Sequence, residues 1–226
     1  IATDRMVDTI LELKRNLTLD CLYPEDGIML QFSWVKVKEY YEDRLCAVNP
    51  HFGKDIAEKY KGRVVFVNGS SSSRDASITL AETSEEDVGV YNCYLSIFQK
   101  GTFKKVIAVQ SGELRKIAAS TQLEFRINQK IILNFQSVLG GSVKQVVLEK
   151  YTPGRMDTIA LCNEDGLPKC GFNYISCTFL VCSDPSNISL LIKNLTSKEE
   201  GLYVCHFTTK NGTDAVATSV HIRKGK

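Results

Sequence analysis

The stretch Asp87-Val88-Gly89-Val90-Tyr91-Asn92-Cys93 decides how this chain is read. A tyrosine two residues ahead of a cysteine, with a glycine and an acid spaced before it, sits in a run where Tyr91, Cys93 and Leu95 alternate with Asn92 and Tyr94. That period of two belongs to a strand with one buried face. The same pattern returns at Glu199-Glu200-Gly201-Leu202-Tyr203-Val204-Cys205, one small domain's length further on. The chain therefore reads as two units built to one plan.

Working outward, Leu17, Leu19 and Cys21 alternate with Thr18 and Asp20, and Leu30, Phe32 and Trp34 alternate with Gln31, Ser33 and Val35. Short alternating runs separated by turn residues predict an all-β chain of antiparallel sheets packed as sandwiches. Residues 56–61 are expected to form at most a short helix, and Thr102 to Val109 a final strand. Ser111-Gly112-Glu113 is the expected junction, giving domains 1–111 and 112–226 joined by a linker of a few residues.

Length and composition bound the alternatives. The 226 residues are 43% hydrophobic with a net charge of +2, which suits folded domains and excludes a chain that is mainly disordered. Acidic and basic residues are interspersed without a basic stripe, so no nucleic-acid partner is expected. Apolar runs are too short to span a bilayer. The N-terminus carries no signal-peptide pattern, and Ile222-Arg223-Lys224-Gly225-Lys226 reads as a stalk cut short, so membrane attachment is expected only through a segment absent from this chain. Eight cysteines accompany five N-x-[ST] sequons, at Asn16, Asn68, Asn187, Asn194 and Asn211. Together they place the chain in an oxidising, extracellular setting as a glycoprotein.

In the first unit, Cys21, Trp34 and Cys93 are similar to the core of an immunoglobulin sandwich, where a disulfide joins the sheets and an indole packs on it. The interval of about 70 residues between the cysteines leaves room for the extra strands of the variable type. Arg63 is expected to pair with Asp87. The second unit departs from this plan. Phe135 stands where the first cysteine belongs and Leu148 where the tryptophan belongs, so this sandwich is expected to be atypical and to lack the usual inter-sheet disulfide. Losing that bond costs about 2–5 kcal/mol. A substitute is therefore expected, with Cys162–Cys182 favoured. Cys170–Cys177 is the most local further closure. Cys205 is expected as a buried thiol or as a partner of Cys170 or Cys177, and the pairing of Cys46 stays open.

These residues resemble the group of two-domain immunoglobulin receptors of lymphocytes that recognises nectins and the poliovirus receptor. The resemblance runs through Asn16-Leu17-Thr18-Leu19-Asp20-Cys21-Leu22-Tyr23-Pro24, Gly27-Ile28 to Gln31, Trp34, Asn49-Pro50, Gly53, Arg63-Val64, Phe66, Asn68, Gly101-Thr102 and Lys105-Val106-Ile107. In the second unit it rests on Cys162-Asn163, Cys182 and Gly201-Leu202-Tyr203, and it implies the 162–182 bridge. Members bind one another through the front sheet of the first domain, using an Ala-x6-Gly key, a Thr-aromatic-Pro lock and a glutamine. By position the key becomes Cys46 to Gly53, the lock becomes Ile97-Phe98-Gln99, and the glutamine is Gln31, preceded by Leu30 instead of a hydroxyl residue. The resemblance implies a cell-surface receptor of immunity and cell adhesion, with nectin-like and poliovirus-receptor-like immunoglobulin proteins as partners. A homophilic adhesion molecule, dimerising weakly through the same face, or a soluble decoy is the alternative.

The sequons lead to the same face. Asn16 and Asn68 fall beside segments of one sheet, which leaves the opposite sheet bare, with His51-Phe52 and Ile97-Phe98 on its loops. The candidate ligand-binding residues are Gln31, Cys46, Phe52, Gly53, Ile97, Phe98, Gln99 and Gly101. No enzyme is expected: His51, His206 and His221 are scattered, and a Cys46–His51 pair would lie on a solvated edge. Gaps of seven, six and four residues among Cys162, Cys170, Cys177 and Cys182 do not match zinc knuckles, so no metal and no cofactor is expected. Lys104-Lys105 reads as a solvated strand face.

Overall fold

Trp34 lies fully buried in register with Cys93 on the neighbouring strand, and the Cys21–Cys93 disulfide sits at the same level. The indole N–H donates to the carbonyl of Ala76 at 2.7 Å, so the core's largest side chain leaves no polar atom stranded. These contacts belong to a computed structural model that describes residues 6–68, 74–176 and 179–223. The chain divides into two compact units, Ile1–Glu113 and Leu114–Lys226.

In the first unit the strands are β1 (Thr9–Glu12), β2 (Leu17–Leu19), β3 (Met29–Val37), β4 (Glu42–Asn49), β5 (Gly53–Ile56), β6 (Val64–Phe66), β7 (Ile78–Leu80), β8 (Gly89–Ile97) and β9 (Gly101–Gln110). The front sheet runs β1-β9-β8-β3-β4-β5 and the back sheet β2-β7-β6. β1 pairs with β9 in parallel and the other neighbours are antiparallel. Leu17, Leu19, Ile78 and Leu80 face the front sheet's buried side, as alternation requires.

The corner before β8 explains the motif from which the reading began. A single 3-10 turn, Glu85–Asp87, is capped by Ser84. The Asp87 carboxylate accepts from the Ser84 N–H at 2.9 Å and from the Arg63 guanidinium at 2.6 Å. The Tyr91 hydroxyl donates back to the Asp87 carbonyl at 2.7 Å. Lys36 on β3 lies over the Tyr91 ring and donates to the Glu86 carbonyl. Acid, tyrosine and cysteine thus fix turn, corner and core in sequence.

The second unit repeats the device. Its strands are β10 (Thr121–Arg126), β11 (Ile131–Gln136), β12 (Val143–Thr152), β13 (Arg155–Asn163), β14 (Pro168–Cys170), β15 (Leu180–Val181), β16 (Asn187–Ile192), β17 (Gly201–Thr209) and β18 (Gly212–Arg223). One sheet runs β10-β18-β17-β12-β13 with β14 on β13, and the other runs β11-β16-β15. The Tyr203 hydroxyl donates to the Glu199 carbonyl at 2.7 Å, and Glu199 caps the N–H of Thr196 at 2.6 Å. Lys150 lies over Tyr203 and donates to the Lys198 carbonyl, as Lys36 does in the first unit. Sequence reading found the two tyrosine corners but not the two lysines beneath them.

Phe135, Leu148 and Cys205 lie in one buried cluster, with Leu148 directly opposite Cys205 in the β12–β17 register. The sandwich is therefore filled by packing where the first unit has sulfur and indole. Cys162 on β13 bonds to Cys182, next to β15, so a covalent tie still joins the two sheets at another level. Cys205 and Cys46 are buried free thiols. Cys170 is disulfide-bonded, and Cys177 lies outside the described residues.

Three expectations are corrected. Lys105 is fully buried and paired with Asp20 at 2.8 Å, so only Lys104 occupies a solvated face. Leu30 does not enter the core with Phe32 and Trp34. Register shifts between Met29 and Gln31 against β8, which makes Leu30 an extra residue of a bulge, 46% exposed, while Met29 fills the core. A second bulge on β4 skips Leu45 between Cys46 and Arg44, and both Leu45 and Cys46 turn inward.

Candidate ligand-binding face

The β8–β9 turn is fixed at both its backbone and its side chains. Gln99 takes φ 59° and Gly101 φ 98°, left-handed values that reverse the strand tightly, and the Lys100 N–H donates to the Ile97 carbonyl at 3.1 Å. The Phe98 N–H donates to the Ile28 carbonyl at 2.8 Å, tying the turn to the segment ahead of β3. Lys100 reaches the same segment, donating to the Asp26 carbonyl at 2.7 Å and meeting Glu25 at 3.3 Å over the ring of Tyr23. Phe98 is 51% exposed at the tip, beside exposed Ile28 and Leu30. A large apolar ring is thereby held out to solvent on a turn whose backbone is fixed.

Next to this patch, the start of β3, the β4–β5 turn and Asn68, two residues beyond β6, enclose a cleft of about 480 Å³. Met29, Phe32 and Val48 form its apolar floor, and Gln31, Asn49, Lys54 and Asn68 stand around it. Gln31 accepts from the Asn49 side-chain amide at 2.8 Å, and Asn49 in turn accepts from the His51 N–H at 2.8 Å. This chain of bonds shapes the turn that carries Phe52, 88% exposed, and Gly53 at φ 71°. Along the sheet, Tyr94 donates to Glu42 at 2.6 Å and Arg44 pairs with Asp55, so charge on this face is largely matched internally.

Of the candidate residues, Gln31, Phe52, Gly53, Phe98, Gln99 and Gly101 lie at exposed positions around the cleft and the turn. Cys46 and Ile97 do not. Cys46 is buried against Trp34 by the β4 bulge, where burial pushes its thiol up to about 12 despite the backbone hydrogen bond with Trp34. It is separated from exposed His51 and forms no thiol–imidazole pair. Ile97 is 2% exposed and packs where a Cβ on Gly27 would come within 2.7 Å of it. Ile28 and Leu30 were missed as surface residues. A bulge is decided by strand pairing, which a single-strand pattern does not display.

The glycan expectation also changes. Asn16 stands at the start of β2 on the back sheet, but Asn68 lines the cleft beside Gln31 and Lys54 of the front sheet. A sequon therefore stands at that edge of the front sheet.

The immunoglobulin V-set domain family matches residues 8–110. Rhesus macaque (Macaca mulatta) CD226 antigen, the DNAX accessory molecule-1, is 27% identical over 206 residues. The alignment covers 90% of this chain, which spans 61% of the length of that relative. The solved structure of murine CRIg is matched over 46% of this chain and 91% of its own, at 18% identity and a TM-score of 0.39. The V-set match to residues 8–110 and the CD226 relative both point to a non-enzymatic class of proteins. Residues 8–110, within the first unit, are thus similar to the immunoglobulin V-set domain family, and 90% of the chain aligns with CD226 antigen.

Proposed function

We propose that this chain is the extracellular part of a cell-surface immunoglobulin receptor whose first domain binds nectin-like immunoglobulin proteins on opposing cells. Lymphocyte adhesion and activation are the setting that the CD226-like sequence supports. The observation that carries the reading is the clamped Phe98 turn, an aromatic anchor offered beside Ile28 and Leu30 on the front edge of a rigid sandwich.

A panel of purified nectin-family and poliovirus-receptor-family ectodomains, measured against the immobilised chain, tests it. At least one should bind, and Phe98→Ala should weaken that binding by roughly 30-fold or more, because truncating a central aromatic anchor costs about 2 kcal/mol or more. The melting temperature should barely move. Binding unaffected by Phe98→Ala would place the interface elsewhere.

A second reading is favoured by the coexistence of protruding Phe52 and Phe98 with a cleft on one face, which could serve pairing between copies of the chain. Sedimentation at rising concentration separates the two, since only homophilic pairing produces a dimer that Phe98→Ala abolishes.

A further inference from the structure

The cleft contains an attachment point for its own occupant. Asn68 opens the sequon Asn68-Gly69-Ser70 and its side chain is both exposed and part of the cleft wall. Its amide nitrogen donates to the Asp75 carboxylate at 3.2 Å. We infer that the innermost N-acetylglucosamine of a glycan on Asn68 seats in this cleft, so that the sugar forms part of the front face and controls access to it.

The attachment chemistry leaves the local geometry intact. Transfer from a lipid-linked pyrophosphate donor forms a bond between the sugar's anomeric carbon and Asn68 Nδ2. It breaks the anomeric C–O bond to the pyrophosphate and releases one amide proton. The second amide hydrogen remains and can keep donating to Asp75, which orients the glycosidic linkage. A secretory route supplies that donor, and the disulfides and sequons of this chain fit that route.

The cleft suits the occupant. Its volume, about 480 Å³, is in the range of small-molecule sites. A pyranose ring with an N-acetyl group presents an apolar C–H face and methyl together with hydroxyls and an amide. Leu30, Val48 and Pro50 offer the apolar contact, and Gln31, Asn49 and Lys54 offer hydrogen-bonding partners around it. Tethering at Asn68 raises the sugar's effective concentration, so even weak contacts suffice to hold it.

The consequence for binding rests on the receptor reading above. A seated sugar covers Gln31, the Gly53 end of the face and the cleft side of Leu30, and leaves Phe98 and Ile28 as the open contact surface. Removing the glycan should therefore admit a partner to the cleft and strengthen binding several-fold.

The test uses the full chain secreted from mammalian cells in four forms: native, trimmed by endoglycosidase to a single N-acetylglucosamine, Ser70→Ala and Asn68→Gln. Peptide mass mapping should find Asn68 occupied in the native form. In the trimmed form, nuclear Overhauser contacts should link the N-acetyl methyl to the methyls of Leu30 and Val48. The chain's single tryptophan, Trp34, reports melting of the first unit. The trimmed form should melt with the native one, while Ser70→Ala and Asn68→Gln melt several degrees lower. An unoccupied Asn68, absent methyl contacts, or a trimmed form melting with the two variants would overturn the seat. None of these readouts needs a ligand, so an ectodomain panel without a binder would remove the receptor reading and leave the seat standing.

Discussion

Asp87 shows how much one side chain can hold. It is 5% exposed, caps its own 3-10 turn, and neutralises Arg63 across the base of the first domain. Asp87→Ala removes a cap worth about 1 kcal/mol and leaves a partly buried guanidinium without its charged partner, for which about 1.5–3 kcal/mol is typical. Urea unfolding followed through Trp34 should show a loss of about 2–4 kcal/mol. Glu199→Ala in the second unit should cost less, because Glu199 caps Thr196 with no arginine recorded beside it among the described residues. Cys46 supplies a pH dependence. A free thiol in the unfolded chain titrates near about 8.5, whereas the buried one is pushed up to about 12. Its contribution is fully present below about 8.5 and is lost as pH rises toward about 12. At pH 10 the loss should reach roughly 2 kcal/mol at about 1.4 kcal/mol per pH unit. Cys46→Val should flatten this alkaline slope, and urea midpoints at pH 7 and pH 10 in both proteins measure it.

At the scale of the element, β3 shows where the sequence was legible and where it was not. Phe32 and Trp34 follow the period-two pattern into the core, and the Cys21–Trp34–Cys93 set could be read directly because three scarce residue types meet in one place. The first three residues of β3 could not be read this way. Met29 and Leu30 are both apolar, so their pattern does not say which one turns inward, and only pairing with Ile97 and Ser96 of β8 decides it. The same ambiguity hid Cys46, since its neighbour Leu45 is the bulged residue of β4. Ile97 was legible as part of an apolar loop but not as its buried half. Two substitutions follow. Met29→Ala should cost about 2–5 kcal/mol as a core cavity. Leu30→Ser should leave stability within about 0.5 kcal/mol while weakening partner binding. Equal losses of stability from both would mean that the bulge is not where the strand pairing puts it.

At the scale of the whole molecule, one corner device supports two differently stapled sandwiches. In the first unit Cys21–Cys93 and Trp34 occupy the centre. In the second, Phe135 and Leu148 fill it, Cys205 stays a thiol, and the Cys162–Cys182 bond joins the sheets at another level. The displaced bond should stabilise by limiting the unfolded chain: a loop closed over 20 residues is worth about 3 kcal/mol. Replacing both Cys162 and Cys182 by alanine should therefore lower the second unit's stability by about 3 kcal/mol or more, since the alanines also leave buried volume unfilled. Phe135→Cys probes the centre itself. In reducing buffer it should destabilise by about 3–5 kcal/mol, because it deletes a fully buried ring from a packed cluster. Under oxidising conditions the new thiol should bond to Cys205, which occupies the position that Cys93 holds in the first unit, opposite the strand residue equivalent to Trp34. The bond should recover about 2–4 kcal/mol of the loss. Peptide mapping identifies the bond, and unfolding in oxidised and reduced buffer measures the recovery. A variant thiol that stays free under oxidation would show that packing around Phe135 has moved the two sheets out of bonding reach. In that case Cys205 is retained as a small core residue rather than as half of a lost bridge.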